Sequence, residues 1–189
     1  MQVIQLHQEE KQLIMLAVEN NRQAQQQIYA KFSSKMLSVC RQYIKDIHHA
    51  EDVMITGFMK VFTNLKNFEH KGSFEGWIRR IMIYECSDFI RVKKNNFNHQ
   101  DIDDVTVSEN ESVYEMEDFS VDDIQNMIDN LPDGYKMVFN LYAIEGYKHQ
   151  EIAEMLKISE GTSKSQLSHA RKLLQQQITD LKNKLNGTK

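Results

Sequence analysis

From Tyr147 to Leu174 the chain reads YKHQEIAEMLKISEGTSKSQLSHARKLL, and the residue types there suit contact with DNA. The spacing of Ile152, Ala153, Leu156, Ile158 and Leu167 predicts two short helices joined by a tight corner, with these five turned inward. Ala153 is small where two helix axes must approach closely. Ser159 can cap the second helix by accepting a backbone N–H bond. That helix then carries Glu160, Thr162, Ser163, Lys164, Gln166, His169, Arg171 and Lys172 on its polar faces. Such groups hydrogen-bond base edges and phosphates in a major groove, and the pattern is a helix-turn-helix. A helical hairpin that merely packs would share the apolar spacing.

Holding those residues in place takes helices, and the rest of the chain has their pattern. One proline, seven glycines and helix-period apolar spacing predict an all-α fold. A first helix is expected from Glu9 to Asn20, with Leu13, Leu16 and Ala17 inward. A second places Ile28, Phe32, Met36, Val39, Tyr43 and Ile47 at steps of three or four. A third starts near His49. Glu51 and Asp52 fall in its first turn, where the helix dipole favours anions. Its stripe is Met54, Phe58, Val61, Phe62 and Leu65. After the loop NFEHKGS, a fourth helix runs from about Phe74 to Val92. It carries Trp77, Ile78, Ile81, Tyr84 and Phe89, with basic Arg79, Arg80 and Arg91, and Lys93 and Lys94 beyond. Four more are expected at about 121–130, 133–144, 149–156 and 160–184. Between them the periodicity lapses, with room for a short helix around Val113 to Phe119. The expected organisation is two small helical domains, 1–95 and 121–189, joined by a linker over 96–120.

The net charge of −4 is not evenly spread. Residues 101–123 hold ten acidic residues and no Lys or Arg, so the linker is acidic. Residues 1–100 carry 14 basic against 10 acidic, and residues 124–189 carry 9 against 7. Both flanks are mildly basic, which suits an anionic partner. Hydrophobic residues at 41% and charged residues at 26% describe a soluble globular protein. No window approaches 18 consecutive apolar residues, so membrane insertion is not expected. The N-terminus lacks the basic and apolar regions of a signal peptide. Cys40 and Cys86, outside any C-x-x-C motif, read as reduced, buried thiols of a cytoplasmic protein. There is no Gly-rich phosphate loop, no metal-spaced His/Cys cluster and no G-x-S-x-G. The expectation is therefore a non-enzyme with no metal and no cofactor; His48, His49 and Glu51 read as solvated rather than as ligands.

The stretch from Leu131 through Leu174, LPDGYKMVFNLY followed by IEGYKHQEIAEMLKISEGTSKSQLSHARKLL, resembles the promoter-reading C-terminal domain of a bacterial sigma factor. The upstream stretch YIKDIHHAEDVMITGFMKVFTNLKNF…GSFEGWIRRIMIYECSDFIRVKK is similar to the family's other conserved domain. The short two-domain form is that of the extracytoplasmic-function group. The resemblance implies that the first domain binds core RNA polymerase and opens promoter DNA, and that the second reads the upstream element. The third helix would dock on the polymerase, with Asp52, Ile55, Thr56 and Met59 near that contact. Capturing unstacked bases calls for aromatic or apolar walls and nearby cations. Lys71, Arg80, Tyr84, Arg91, Lys93 and Lys94 are the matching candidates in the first domain. In the second they are Thr162, Ser163, Lys164, Gln166, His169, Arg171 and Lys172. The acidic linker would thread the polymerase interior and mimic nucleic-acid charge; disorder between domains is the other reading of its composition.

The chain departs from the family pattern at several points. Ile55-Thr56 stands where Gln-Glu is usual, and Tyr84 where an asparagine is usual. Lys148 replaces a capping Ser or Thr, Lys157 a corner glycine, and His169 a frequent arginine. These departures keep a second function class open. In it the chain is a sigma-like interaction protein that tethers polymerase to another targeting factor, or binds an anti-sigma partner, without reading a promoter. A repressor using only the C-terminal domain is a third reading, and it leaves the first domain unexplained.

Overall fold

The computed structural model describes residues 2–96 and 120–186, all eight of its α-helices and no strand among them. The chain divides into two compact units between Val92 and Lys93. Most of the expected 96–120 linker, and the short helix considered around Val113 to Phe119, lie outside the described residues.

The first unit contains α1 (Gln2–Val18), α2 (Arg22–Tyr43), α3 (Ile47–Asn64) and most of α4 (Phe74–Asn96), which runs on past Val92, with a 3₁₀ turn at Leu65–Asn67. Asn20 adopts a left-handed backbone (φ 62°), ending α1. Asn21 then caps α2 by accepting the Ala24 N–H at 3.1 Å. Asp46 does the same for α3, accepting from His49 at 2.9 Å, so this helix starts two residues before the expected His49. That bond draws the Asp46 carboxyl below its ordinary pKa. Ser73 caps α4 by accepting from Gly76 at 2.9 Å.

The buried face of α2 is Ala24, Ile28, Phe32, Met36, Val39, Cys40 and Tyr43. Ile47 does not continue that stripe. It opens the next helix and is 42% exposed, because the chain turns at Ile44. On α3, Met54, Phe58, Val61 and Leu65 just beyond it are buried as expected, and Gly57 lets α4 approach. A Cβ at Gly57 would lie 2.4 Å from the Met82 sulfur. On α4 the fully buried residues are Phe74, Ile78, Met82, Ile83 and Cys86, of which only Ile78 belonged to the expected stripe. Cys40 and Cys86 are buried partners; their hydrogen bond, with burial second, pushes the Cys86 thiol up. Such a thiol is a poor nucleophile.

The second unit contains α5 (Val121–Asp129), α6 (Asp133–Phe139), α7 (His149–Leu156) and α8 (Glu160–Asn186). Ser120 and Asp123 form a reciprocal capping box at the start of α5. A single helix over 133–144 was expected. Instead α6 ends at Phe139 and the chain widens into a π-helical turn over Asn140–Ile144. The wider turn closes with Glu145 N–H donating to Asn140 O at 3.0 Å and Tyr147 N–H to Leu141 O at 2.9 Å. It leaves Tyr142 and Ile144 outward, 37% and 47% exposed. Ile152, Met155, Leu167 and Ala170 bury the seam between α7 and α8.

Candidate nucleic-acid interface

The corner between α7 and α8 is built as the spacing predicts. Lys157 has φ 56° and ψ 44°, the left-handed conformation usually given to glycine. Ile158 N–H then reaches back to Ala153 O at 3.1 Å, closing the helix end as a Schellman-type motif. Ser159 accepts from Thr162 N–H at 2.9 Å and so caps α8. At the start of α7, Lys148 N–H donates to Glu151 at 2.8 Å. The forward half of that capping box is missing, because an ammonium has no acceptor to offer.

The polar residues of α8 do not share one face. Ser163 corrects the expectation: it is fully buried, and its hydroxyl is 2.9 Å from His149 Nδ1. It sits on the same side as Leu167 and Ala170, which helical spacing of four and seven residues requires. Gln166 and His169 are half-buried on the α6 side. The Gln166 amide lies over Gly134, where an added Cβ would be 3.4 Å from its nitrogen. The His169 ring stacks on Tyr135, centroids 5.4 Å apart. Lys164 and Arg171 are exposed on the opposite flank. Lys164 pairs with Glu160 at 2.7 Å, and that bond holds the Glu160 carboxyl below its ordinary pKa. The Arg171 guanidinium lies 5.6 Å from the Tyr142 ring centroid. Thr162 and Lys172 are half-buried. Outermost are Ser165 and Ser168, exposed hydroxyls that were not among the expected contacts.

In the first unit, α4 carries the second cluster. Phe68, Phe74 and Trp77 pack together, with Trp77 stacked on Phe74 at 5.9 Å and tilted against Phe68 at 5.5 Å. Trp77 is half-buried, so one side of it serves the core. Its other neighbours frame an open groove of about 310 Å³. Ile81 and Tyr84 continue the α4 wall, and Lys60, Asn64 and Asn67 form the facing wall. Glu85, 7% exposed, closes one end in an ion pair with Lys60 at 2.5 Å. Lys60, Asn64, Asn67 and Glu85 had not been singled out. Lys60 and Asn64 are four apart on α3, a spacing that marks a shared face but not what it faces.

The remaining first-domain candidates are not among the residues that line this groove. Arg80 lies over Tyr84, 5.8 Å from its centroid. Arg91 pairs with Asp88 at 2.6 Å, and exposed Lys71 with Glu69 at 2.8 Å. Lys93 is exposed, and the side chain of Lys94 lies outside the described residues. The loop before α4 holds two left-handed residues, His70 (φ 57°) and Gly72 (φ 88°). On α3, Asp52, Ile55, Thr56 and Met59 form one exposed stripe, opposite buried Val53, Met54, Gly57 and Phe58. Ile55 is 49% and Met59 66% exposed, and Thr56 spends its hydroxyl on Asp52 O at 2.9 Å. Among the described residues no group of three His, Cys, Asp or Glu is placed to hold a metal ion.

Two family models match the chain: Sigma-70 region 2 over residues 28–96, and Sigma-70, region 4 over residues 121–174. The chain therefore belongs to the sigma-70 family, the bacterial RNA polymerase sigma factors that direct transcription initiation. Its relatives place it in the extracytoplasmic-function group. It is 29% identical over 163 residues to the ECF RNA polymerase sigma factor SigW of Bacillus subtilis, covering 79% of this chain and 86% of that one. It is 23% identical over 169 residues to the ECF RNA polymerase sigma-E factor of Haemophilus influenzae, covering 82% and 87%. The fold matches that of the sigma factor RpoE of Bartonella quintana, solved with the anti-sigma factor NepR. There the TM-score is 0.54 at 21% identity, over 82% of this chain and 96% of that one. No described helix is long and apolar enough to cross a membrane.

Proposed function

We propose that residues 1–95 bind core RNA polymerase and open promoter DNA, and that residues 121–189 contact the upstream element. The acidic stretch 96–120 joins them. The observation that carries this reading is the pairing of the two family matches, in order, with an exposed stripe in one unit and a helix-turn-helix in the other. Asp52, Ile55, Thr56 and Met59 form the polymerase contact. Lys71, Arg80, Tyr84, Arg91, Lys93 and Lys94 surround the opened strand, and the groove beside Trp77 and Tyr84 receives unstacked bases. Stacking on aromatic rings is worth about 1–3 kcal/mol per base and needs no particular base. On α8, Lys164, Arg171 and Lys172 touch the backbone, while Thr162, Gln166 and His169 meet bases or the groove edge. Ser163 supports His149 from within. The protein acts without catalysis of its own, in the cytoplasm, and an anti-sigma factor is a further partner, as NepR is for the RpoE of similar fold.

Co-elution with core polymerase tests the docking surface. Asp52→Lys, at an exposed position, is expected to weaken the complex without lowering the melting temperature. Unchanged co-elution contradicts the assignment of this stripe.

The second reading, dependence on a recruiting partner, is favoured by the apolar Ile55 and the self-bonded Thr56 on the docking stripe, and by Tyr84 in place of an amide. Permanganate footprinting compares the natural chain with a variant carrying Ile55→Gln, Thr56→Glu and Tyr84→Asn. More complete opening by the variant supports a recruiter. Equal opening removes the ground for one.

A further inference from the structure

One chain of contacts in the second unit starts and ends on α8. Ser163, buried, meets His149 Nδ1 at 2.9 Å. The His149 ring, first residue of α7, stacks on Tyr142 with centroids 4.7 Å apart and planes 22° from parallel. Tyr142, from the π-helical turn, lies beneath the Arg171 guanidinium at 5.6 Å. Arg171 is two helical turns beyond Ser163. The closed ring thus ties three elements together and ends at an exposed cation.

We infer that Tyr142 is a positioning residue for DNA binding: its ring holds the Arg171 guanidinium ready for a phosphate. The inference rests on the reading of α8 as the DNA-contacting helix. Attraction between the ring and the cation as a whole uses no hydrogen-bond acceptor, so the guanidinium N–H groups stay available to a phosphate. A long flexible side chain held in advance loses less freedom when a phosphate arrives. Lys164 on the same flank has a different arrangement, since it must leave Glu160 to do the same work. The π-helical turn is what makes the ledge. It turns Tyr142 outward, and the hydrogen bond between half-buried His149 and Ser163 fixes the ring on which Tyr142 rests.

The test uses the full chain and a duplex enriched by it from a randomised pool, with affinity measured across a salt series. Arg171→Ala should weaken binding and lower the log–log salt slope by about 0.9. Tyr142→Leu should weaken binding about two- to five-fold, the range of an exposed cation–π contact, with the slope unchanged. Tyr142→Phe keeps the ring and should bind as the natural protein does. The double variant Tyr142→Leu with Arg171→Ala should bind no more weakly than Arg171→Ala alone. Tyr142→Met serves as the ringless variant if Tyr142→Leu melts below the assay temperature. Additive losses, or Tyr142→Phe as weak as Tyr142→Leu, overturn the positioning role while the DNA-binding reading stands. The same holds if Arg171→Ala binds normally. If the pool yields no enriched duplex, both that reading and the inference fall.

Discussion

Replacing Lys157 with glycine should stabilise the C-terminal helical unit, although it removes a side chain and loosens the unfolded chain. The position has φ 56° and ψ 44°. For a residue with a Cβ, that conformation costs about 1–2 kcal/mol relative to the right-handed region. Glycine adopts it freely. Against this stands glycine's larger unfolded-state entropy, about 0.4–1 kcal/mol. The Lys157 side chain is exposed, so its loss takes little packing with it. The difference favours Lys157→Gly by about 0.5–1 kcal/mol. In a domain of fewer than 100 residues this raises the melting temperature by about 2–8 °C. Differential scanning calorimetry of the full chain reads the shift. Lys157→Ala is the control, since it removes the charge and the flexible stem but keeps the Cβ. It should not gain stability. A lower melting temperature for Lys157→Gly, or an equal rise for Lys157→Ala, would refute the strain argument.

Other outcomes follow from the same geometry. Gly57→Ala places a methyl 2.4 Å from the Met82 sulfur in a closed core, and should destabilise the first unit by about 1–3 kcal/mol in denaturant titration; Met82→Ala should cost less in that background than it does alone. Lys164→Ala should reduce the log–log salt slope of DNA binding by about 0.9 and leave sequence preference unchanged, as measured by competition between duplexes. The Ser120 hydroxyl, with its backbone N–H second, holds the Asp123 carboxyl below its ordinary pKa. Its stabilisation is therefore full above the unfolded carboxylate value, near about 3.9, and fades as pH falls through the lower folded value. Ser120→Ala should flatten that acid limb in thermal melts.

The helices were legible because their apolar residues recur at three and four; in the second unit α5, α7 and α8 fall within two residues of the expected bounds, while α6 stops five residues short of the expected 144. The π-helical turn was not legible, since NLYAI continues the period of α6 and only Gly146, with φ 76°, marks the change. Ile47 fitted the α2 stripe numerically but lies beyond the turn at Ile44, a case where spacing cannot see a break. At the site, the family's corner glycine marked position 157 as one where the backbone could be left-handed, which it is. The burial of Ser163 was hidden by its hydroxyl, which looks like a surface group until His149 supplies its partner. Lys136, 2% exposed, was likewise invisible as a core residue, because a charged side chain signals solvent unless its surroundings are known. The groove beside Trp77 joins residues from two helices and the turn between them, which no single stretch of sequence shows.

The most direct measurement is run-off transcription with purified core RNA polymerase, with and without the full chain, on a library of genomic fragments. The account predicts transcripts that appear only with the protein and start downstream of shared upstream sequence, and that are lost with Asp52→Lys. A protein that co-elutes with core polymerase yet starts no such transcript would contradict it.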